Sequence, residues 1–89
     1  MNQPTQASPE VALVTGATSG IGRAVALKLA SDGFDVIVHG RDAERGAATV
    51  QAIEEAGGHA RFISADLADA DDVTQLANEA GDVDVLVNN

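Results

Sequence analysis

Short apolar runs alternate along the chain with amphipathic stretches, and the two patterns have different periods. The first run, Val11–Val14, is apolar throughout, which is typical of a strand covered on both faces. The second run predicts a strand over residues 34–38 and then a loop over residues 39–42. Two shorter runs predict a third strand over residues 61–65 and a fourth over residues 83–87.

The stretches between these runs predict three helices. The first extends from Gly20 to Ser31. The second begins at Asp42 and ends at Gly57. The third begins at Asp69, where a second acid three residues later, Asp72, resembles a helix N-cap signal. The apolar residues that recur at helical spacing are, in chain order, Ile21, Val25 and Leu29; Ala47, Val50, Ile53 and Gly57; and Val73, Leu76, Ala77 and Ala80.

Strand and helix alternate without any repeat of fixed length, and this order predicts the fold. We expect an α/β protein whose parallel strands are joined by right-handed crossovers. The strand order of a Rossmann-type doubly wound sheet would be 3-2-1-4. Eighty-nine residues hold at most one domain, and residues 1–9, which carry both prolines, predict a flexible tail.

A glycine-rich turn joins the first strand to the first helix, with the spacing G-x-x-x-G-x-G. The first N–H groups of a helix have no internal partner and lie at the positive end of its dipole, so a diphosphate can accept their hydrogen bonds. Gly16 permits a sharp turn, Gly20 removes a Cβ where phosphate oxygens approach, and Gly22 allows the helix to pack closely against the strand. Thr18 and Ser19 add hydroxyl donors. A glycine cluster also marks ordinary turns, but the strand before it and the helix after it favour a nucleotide site.

Residues 15–22 read TGATSGIG and resemble the Thr-Gly-x-x-x-Gly-x-Gly motif of the short-chain dehydrogenase/reductase family. Further matches at Asp66-Leu67 and Asn88-Asn89 extend the resemblance from Glu10 to the last residue. The first stretch is similar to ketoreductases of polyketide and fatty-acid synthesis. The resemblance implies that residues 10–89 are the N-terminal part of a dinucleotide-binding domain that is incomplete at its C-terminus, with Ile21 among the cofactor-binding residues.

The residues after the second strand indicate which cofactor is used. In such sites an acid binds the ribose 2′-hydroxyl of NAD, whereas an arginine accommodates the 2′-phosphate of NADP. Gly40 stands where the family's acid would align, and Arg41 offers a fork of donors suited to phosphate. Many NADP-using relatives have a second basic residue at the position of Ser19. The sequence therefore predicts NADPH in preference to NADH, with Arg41 as a solvated cation beside Asp42 or Glu44 as the alternative.

The later motif residues are assigned by the resemblance. It implies that the Asp66 carboxylate accepts a hydrogen bond from the adenine amino group, with the Leu67 backbone beside it. It also implies that Asn88 lines the cofactor cleft and that Asn89 ties neighbouring strands together. The alternatives are an Asx turn or helix cap at Asp66 and ordinary polar loop residues at the two asparagines.

Composition limits the possible partners. The formal net charge of -9 argues against nucleic acid, whose phosphates would be repelled. The chain has no cysteine, and His39 and His59 lack a ligand cluster, so we expect no metal site. The acids from Asp66 to Asp72 lack the spacing of a calcium loop and fit a solvated helix start. The polar start and the absence of a long apolar run predict a cytoplasmic protein without a membrane segment.

The residues that would perform the family's chemistry are not found in the sequence. The family reduces a carbonyl by hydride transfer, with a tyrosine as general acid, a lysine four positions later and a serine. This chain has no tyrosine, and its only lysine is Lys28. We therefore expect the cofactor-binding portion of a carbonyl reductase, with the substrate and catalytic groups supplied by a missing part. The alternative is a non-catalytic redox sensor or scaffold. A bare apolar fourth strand would favour pairing with other chains, and we expect a homo-oligomer.

Overall fold

A four-stranded parallel sheet carries the fold in the computed structural model, which describes residues 9–89. Its strands are β1 (Val11–Val14), β2 (Asp35–Gly40), β3 (His59–Ser64) and β4 (Val85–Val87), in the order β3-β2-β1-β4. Three helices alternate with them: α1 (Gly20–Ser31), α2 (Ala43–Glu55) and α3 (Ala70–Ala80). The predicted α/β class and strand order are confirmed. The predicted tail lies outside the described residues, except for the exposed Pro9.

The helices cover both faces of the sheet. Successive residues of a strand point to opposite faces. Val38 therefore packs in one cluster with Ala26 of α1 and Ile53 of α2, while Ile37 packs on the other face with Leu76 of α3. Burial of one such aliphatic side chain contributes about 1.5–3 kcal/mol, and burial on both faces explains why β1 and residues 36–38 of β2 are apolar.

Three strands differ from their predicted bounds. β2 ends at Gly40 rather than at residue 38, because His39 and Gly40 remain paired with β3. β3 begins at His59 rather than at residue 61. The prediction followed apolar side chains, whereas the backbone hydrogen bonds of a parallel ladder do not depend on them. β4 begins at Val85 rather than at residue 83, because the Asp84 carboxylate accepts the first N–H of β1 at 2.8 Å.

α1 packs on the sheet through small residues, so the predicted stripe was wrong. Its buried residues are Gly22, Ala26 and Ala30. Ile21, the first residue of the predicted stripe, is 76% exposed, and the other two are only half-buried. Small side chains let the helix approach the strands closely, and the larger ones then lie at the sides of the contact.

The stripes of α2 and α3 are partly shifted. In α2, Gly46 rather than Ala47 faces the sheet, at a point where a Cβ would overlap the ring of Phe62. In α3, Val73 is 41% exposed, and the helix contacts the sheet from Leu76 onward. Within residues 9–89, no helix has the length and apolar character that a membrane crossing requires.

Aspartates cap α2 and α3 at the predicted positions. The Asp42 carboxylate accepts the second and third N–H groups of α2 at 3.0 and 3.1 Å. The Asp69 carboxylate accepts the corresponding groups of α3 at 2.8 and 3.1 Å. Both helices therefore begin with their backbone donors satisfied by the chain itself.

Candidate functional site

The candidate site lies at the carboxyl end of the sheet, where the chain leaves β1, β2 and β3. A cleft between these segments has a volume of about 400 Å³. Ligand sites have volumes of about 300–1,000 Å³, so the cleft can hold an organic ligand. The predicted site residues that line it are Gly16, Thr18, Arg41, Asp66 and Leu67.

Glycines shape the loop between β1 and α1. The backbone angle φ is 63° at Gly16 and 61° at Gly20, a region that residues with a Cβ rarely adopt. Gly22 has a different role, because a Cβ there would overlap the carbonyl oxygen of Gly16. The close packing predicted at Gly22 is therefore made against the loop, which folds back on the start of α1.

The first turn of α1 lacks the side-chain cap that the other two helices have. Ser19 occupies the N-cap position with φ -159°, but its hydroxyl makes no capping hydrogen bond, and the turn contains no acidic residue. Within residues 9–89, no protein acceptor bonds the N–H groups of residues 18–22. These donors lie at the positive end of the helix dipole and are available to an anion.

The end of β2 offers an arginine and no carboxylate at the preceding position. Gly40 is buried against Thr18, and a Cβ at position 40 would overlap the Thr18 methyl group. Arg41 is exposed at the cleft and forms no ion pair within residues 9–89. Asp42, one of its alternative partners, lies 3.7 Å from the Arg45 guanidinium instead.

Asp66 forms the Asx turn that was the alternative to its adenine role. Its Oδ1 accepts the Ala68 N–H at 2.9 Å, which is an Asx turn. Its own N–H donates to Asp72 at 2.9 Å. Because a carboxylate has a second oxygen, the turn leaves Asp66 able to accept a further hydrogen bond in the cleft, where Leu67 is 47% exposed beside it.

The end of β4 is joined to the end of β1 through Thr15. The Asn89 backbone N–H donates to the Thr15 hydroxyl at 3.0 Å, and the Asn89 side-chain amide donates to the Gly16 carbonyl at 3.2 Å. The Thr15 hydroxyl lies 3.3 Å from the Asn88 side-chain oxygen. The strand-tying role implied for Asn89 is therefore present in the structure.

His39 is buried at the inner end of the cleft, with 4% of its surface exposed. The Gly16 N–H donates to its Nδ1 at 3.2 Å, and its Nε2 lies 2.9 Å from the Ala65 carbonyl oxygen. The sequence pattern predicted only that His39 lies in the loop after the second strand. Within residues 9–89, no group of three His, Cys, Asp or Glu side chains is placed to hold a metal ion.

The remaining predicted residues surround the cleft without lining it. Ser19, Gly20 and Ile21 are exposed at the start of α1, Gly22 is buried, and Asn88 is exposed. Several lining residues were not among the predicted site residues, and most of them end or directly follow a strand. In a doubly wound sheet, ligands bind at the carboxyl ends of strands, and that rule could have found them beyond the motif letters. The missed residues are Thr15, His39, Gly40, Asp42, Ala65 and Ala68.

A parallel sheet of order 3-2-1-4 with a cleft at the carboxyl ends of its strands defines the Rossmann class of α/β proteins. The chain belongs to the short-chain dehydrogenase family, because the family model described as short chain dehydrogenase matches residues 10–89. The resemblance seen in the sequence is thereby confirmed.

Individual relatives support this assignment. The chain is 51% identical over 84 residues to a 3beta-hydroxysteroid dehydrogenase of Mediterraneibacter gnavus, covering 90% of this chain and 30% of that protein. It is 45% identical over 83 residues to the 3-oxoacyl-acyl-carrier-protein reductase FabG of Staphylococcus aureus, covering 88% and 34%. A solved metagenomic short-chain oxidoreductase in complex with NADP is 41% identical with a TM-score of 0.78, covering 86% and 37%. The chain thus spans about a third of the length of these relatives.

Proposed function

We propose that this chain is the NADPH-binding portion of an oxidoreductase that reduces a carbonyl to an alcohol. The observation that carries the proposal is the start of α1, where the N–H groups of residues 18–22 have no protein acceptor within residues 9–89. A diphosphate is an anion of suitable size for such a helix start. Membership of the short-chain dehydrogenase family supports a nicotinamide dinucleotide as the ligand.

Each part of the dinucleotide has a proposed partner in the chain. The N–H groups of residues 18–22, with the hydroxyls of Thr18 and Ser19, would hold the diphosphate. Asp66 would accept a hydrogen bond from the adenine amino group beside Leu67, and Asn88 would border the cleft. When bound, the cofactor supplies the hydride, and the residues of this chain bind and orient it.

The residues at the end of β2 favour NADPH over NADH. Gly40 places no carboxylate against a 2′-phosphate, and Arg41 at the cleft has no ion-pair partner within residues 9–89. A guanidinium binds phosphate through two parallel hydrogen bonds. The solved relative in complex with NADP agrees with this preference.

We further propose that hydride transfer requires groups outside this chain. The sequence has no tyrosine, and Lys28 is exposed on α1, where it pairs with Asp32 at 3.1 Å. Two of the relatives, a 3-oxoacyl-acyl-carrier-protein reductase and a 3beta-hydroxysteroid dehydrogenase, support a ketone or its alcohol as the substrate class. A cytoplasmic location and a homo-oligomer remain predictions of the sequence.

Titration of the full chain with NADPH and with NADH tests the proposal. We expect tighter binding of NADPH, and Arg41→Ala should weaken it about tenfold, which corresponds to about 1.4 kcal/mol, while NADH binding stays unchanged. Arg45→Ala is the matched control, because Arg45 is an exposed arginine four residues later that does not line the cleft. Equal affinity for the two cofactors, or unchanged NADPH binding by Arg41→Ala, would contradict the assignment.

A further inference from the structure

His39 connects the two ends of the proposed cofactor site. Its imidazole is bonded on one side to Gly16, in the loop before α1, and on the other to Ala65, which precedes Asp66. Its backbone carbonyl oxygen accepts the Ala17 N–H at 2.8 Å. A single buried residue at the end of β2 is therefore bonded to both neighbouring chain segments of the cleft.

The two partners determine where the imidazole proton lies. The Gly16 N–H can only donate, so Nδ1 must accept, and the Ala65 carbonyl can only accept, so Nε2 must carry the hydrogen. This is the neutral Nε2–H form, in which both ring nitrogens are used. An apolar side chain of similar size would fill the space but leave a buried donor and a buried acceptor unpaired.

The position of these bonds gives His39 a role that packing alone does not explain. Gly16 belongs to the loop proposed to hold the diphosphate, and Ala65 leads into the residue proposed to hold adenine. We infer that His39 is a positioning residue that sets the distance between the diphosphate and adenine ends of the site. This inference rests on the proposed function, because the distance matters only to a ligand that spans both ends.

Two ligands of different length can distinguish a positioning role of His39 from a general effect on the structure. NADPH occupies both ends, whereas adenosine 2′-monophosphate contains the adenine end and has no 5′-phosphate. We expect His39→Leu to weaken NADPH binding about tenfold or more, with a change of less than about threefold for adenosine 2′-monophosphate. Both titrations are made at a temperature where circular dichroism shows the variant to be folded.

Two further variants complete the test. His59→Leu is the matched control, because His59 is exposed in β3 and outside the cleft, and it should leave both affinities unchanged. His39→Asn keeps an amide oxygen that can accept the Gly16 N–H and should recover part of the NADPH affinity. Equal losses for both ligands in His39→Leu, or no loss for either, would overturn the inference.

The wild-type protein provides a test that does not depend on the folding of a variant. In nitrogen-15 spectra, we expect Nδ1 of His39 without a proton and a scalar coupling between Nδ1 and the Gly16 amide. A proton on Nδ1 would overturn the inference even if NADPH binds. A wild-type chain that shows the coupling but does not bind NADPH would instead contradict the proposed function.

Discussion

Thr18 and Gly40 touch each other in the cleft, close to Arg41. A Cβ at position 40 would overlap the Thr18 methyl group and lie 3.1 Å from its hydroxyl. An acid at position 40, suited to the ribose hydroxyl of NAD, could therefore enter only if Thr18 moved. The two positions are coupled, and we infer that the methyl group of Thr18 helps to exclude an NAD-type site.

Gly40→Asp should weaken NADPH binding, because its carboxylate would face the 2′-phosphate. It should favour NADH only modestly while Thr18 keeps its methyl group. Thr18→Ser removes that methyl and retains the hydroxyl, so the double variant should bind NADH more tightly than Gly40→Asp alone. Titration of the four proteins closes a double-mutant cycle, for which we expect a coupling energy of about 0.5–3 kcal/mol. Effects on NADH binding that add within about 0.5 kcal/mol would show that the contact does not control cofactor choice.

Single residues also show what the sequence could not predict. Gly16 and Asp66 were identified from short sequence motifs, because the residues of each motif are neighbours in the chain. The role of His39 could not be found in this way, because its partners lie 23 residues before it and 26 residues after it. Only the order of the strands brings these three segments together.

At the scale of helices, the three N-termini differ in whether a side chain caps them. Asp69 caps α3 through two hydrogen bonds, whereas Ser19 makes no side-chain capping bond at α1. The chain thus stabilises the start of α3 by itself and leaves the start of α1 open. The sequence predicted the aspartate caps from local pattern alone, because a cap depends only on residues two and three positions later.

Asp69→Ala should lower the free energy of unfolding by about 1 kcal/mol, since two N–H groups of α3 lose their acceptor. Ser19→Ala should change it by less than about 0.5 kcal/mol, since no capping bond is lost. Urea denaturation of the two variants and the wild-type chain measures both values. A comparable loss in Ser19→Ala would mean that Ser19 does cap α1 in solution.

Helix faces were harder to predict than helix ends. The stripe beginning at Ile21 has the right period but lies one position away from the buried residues Gly22, Ala26 and Ala30. Large apolar residues usually mark the buried face. Here the close approach of α1 to the sheet requires small residues, and tertiary packing therefore overrides the hydrophobic pattern.

At the scale of the whole molecule, the alternation of strands and helices was sufficient to predict the sheet and its order, because right-handed crossovers allow few arrangements. Sequence patterns could not predict how the end of β4 is bonded to the end of β1 beside the site. This bonding depends on contacts such as Asn89 with Thr15 and with Gly16, which are 74 and 73 residues apart. β4 pairs only with β1 within residues 9–89, and its Leu86 is 63% exposed.

Nuclear magnetic resonance of the amide groups during addition of NADPH tests the central claim most directly. The account predicts saturable shifts at the N–H groups of residues 18–22, the open donors of α1. The amides of residues 59–61, at the opposite end of the sheet, should not move and serve as an internal control. Saturable NADPH binding that leaves the amides of residues 18–22 unchanged would contradict the account.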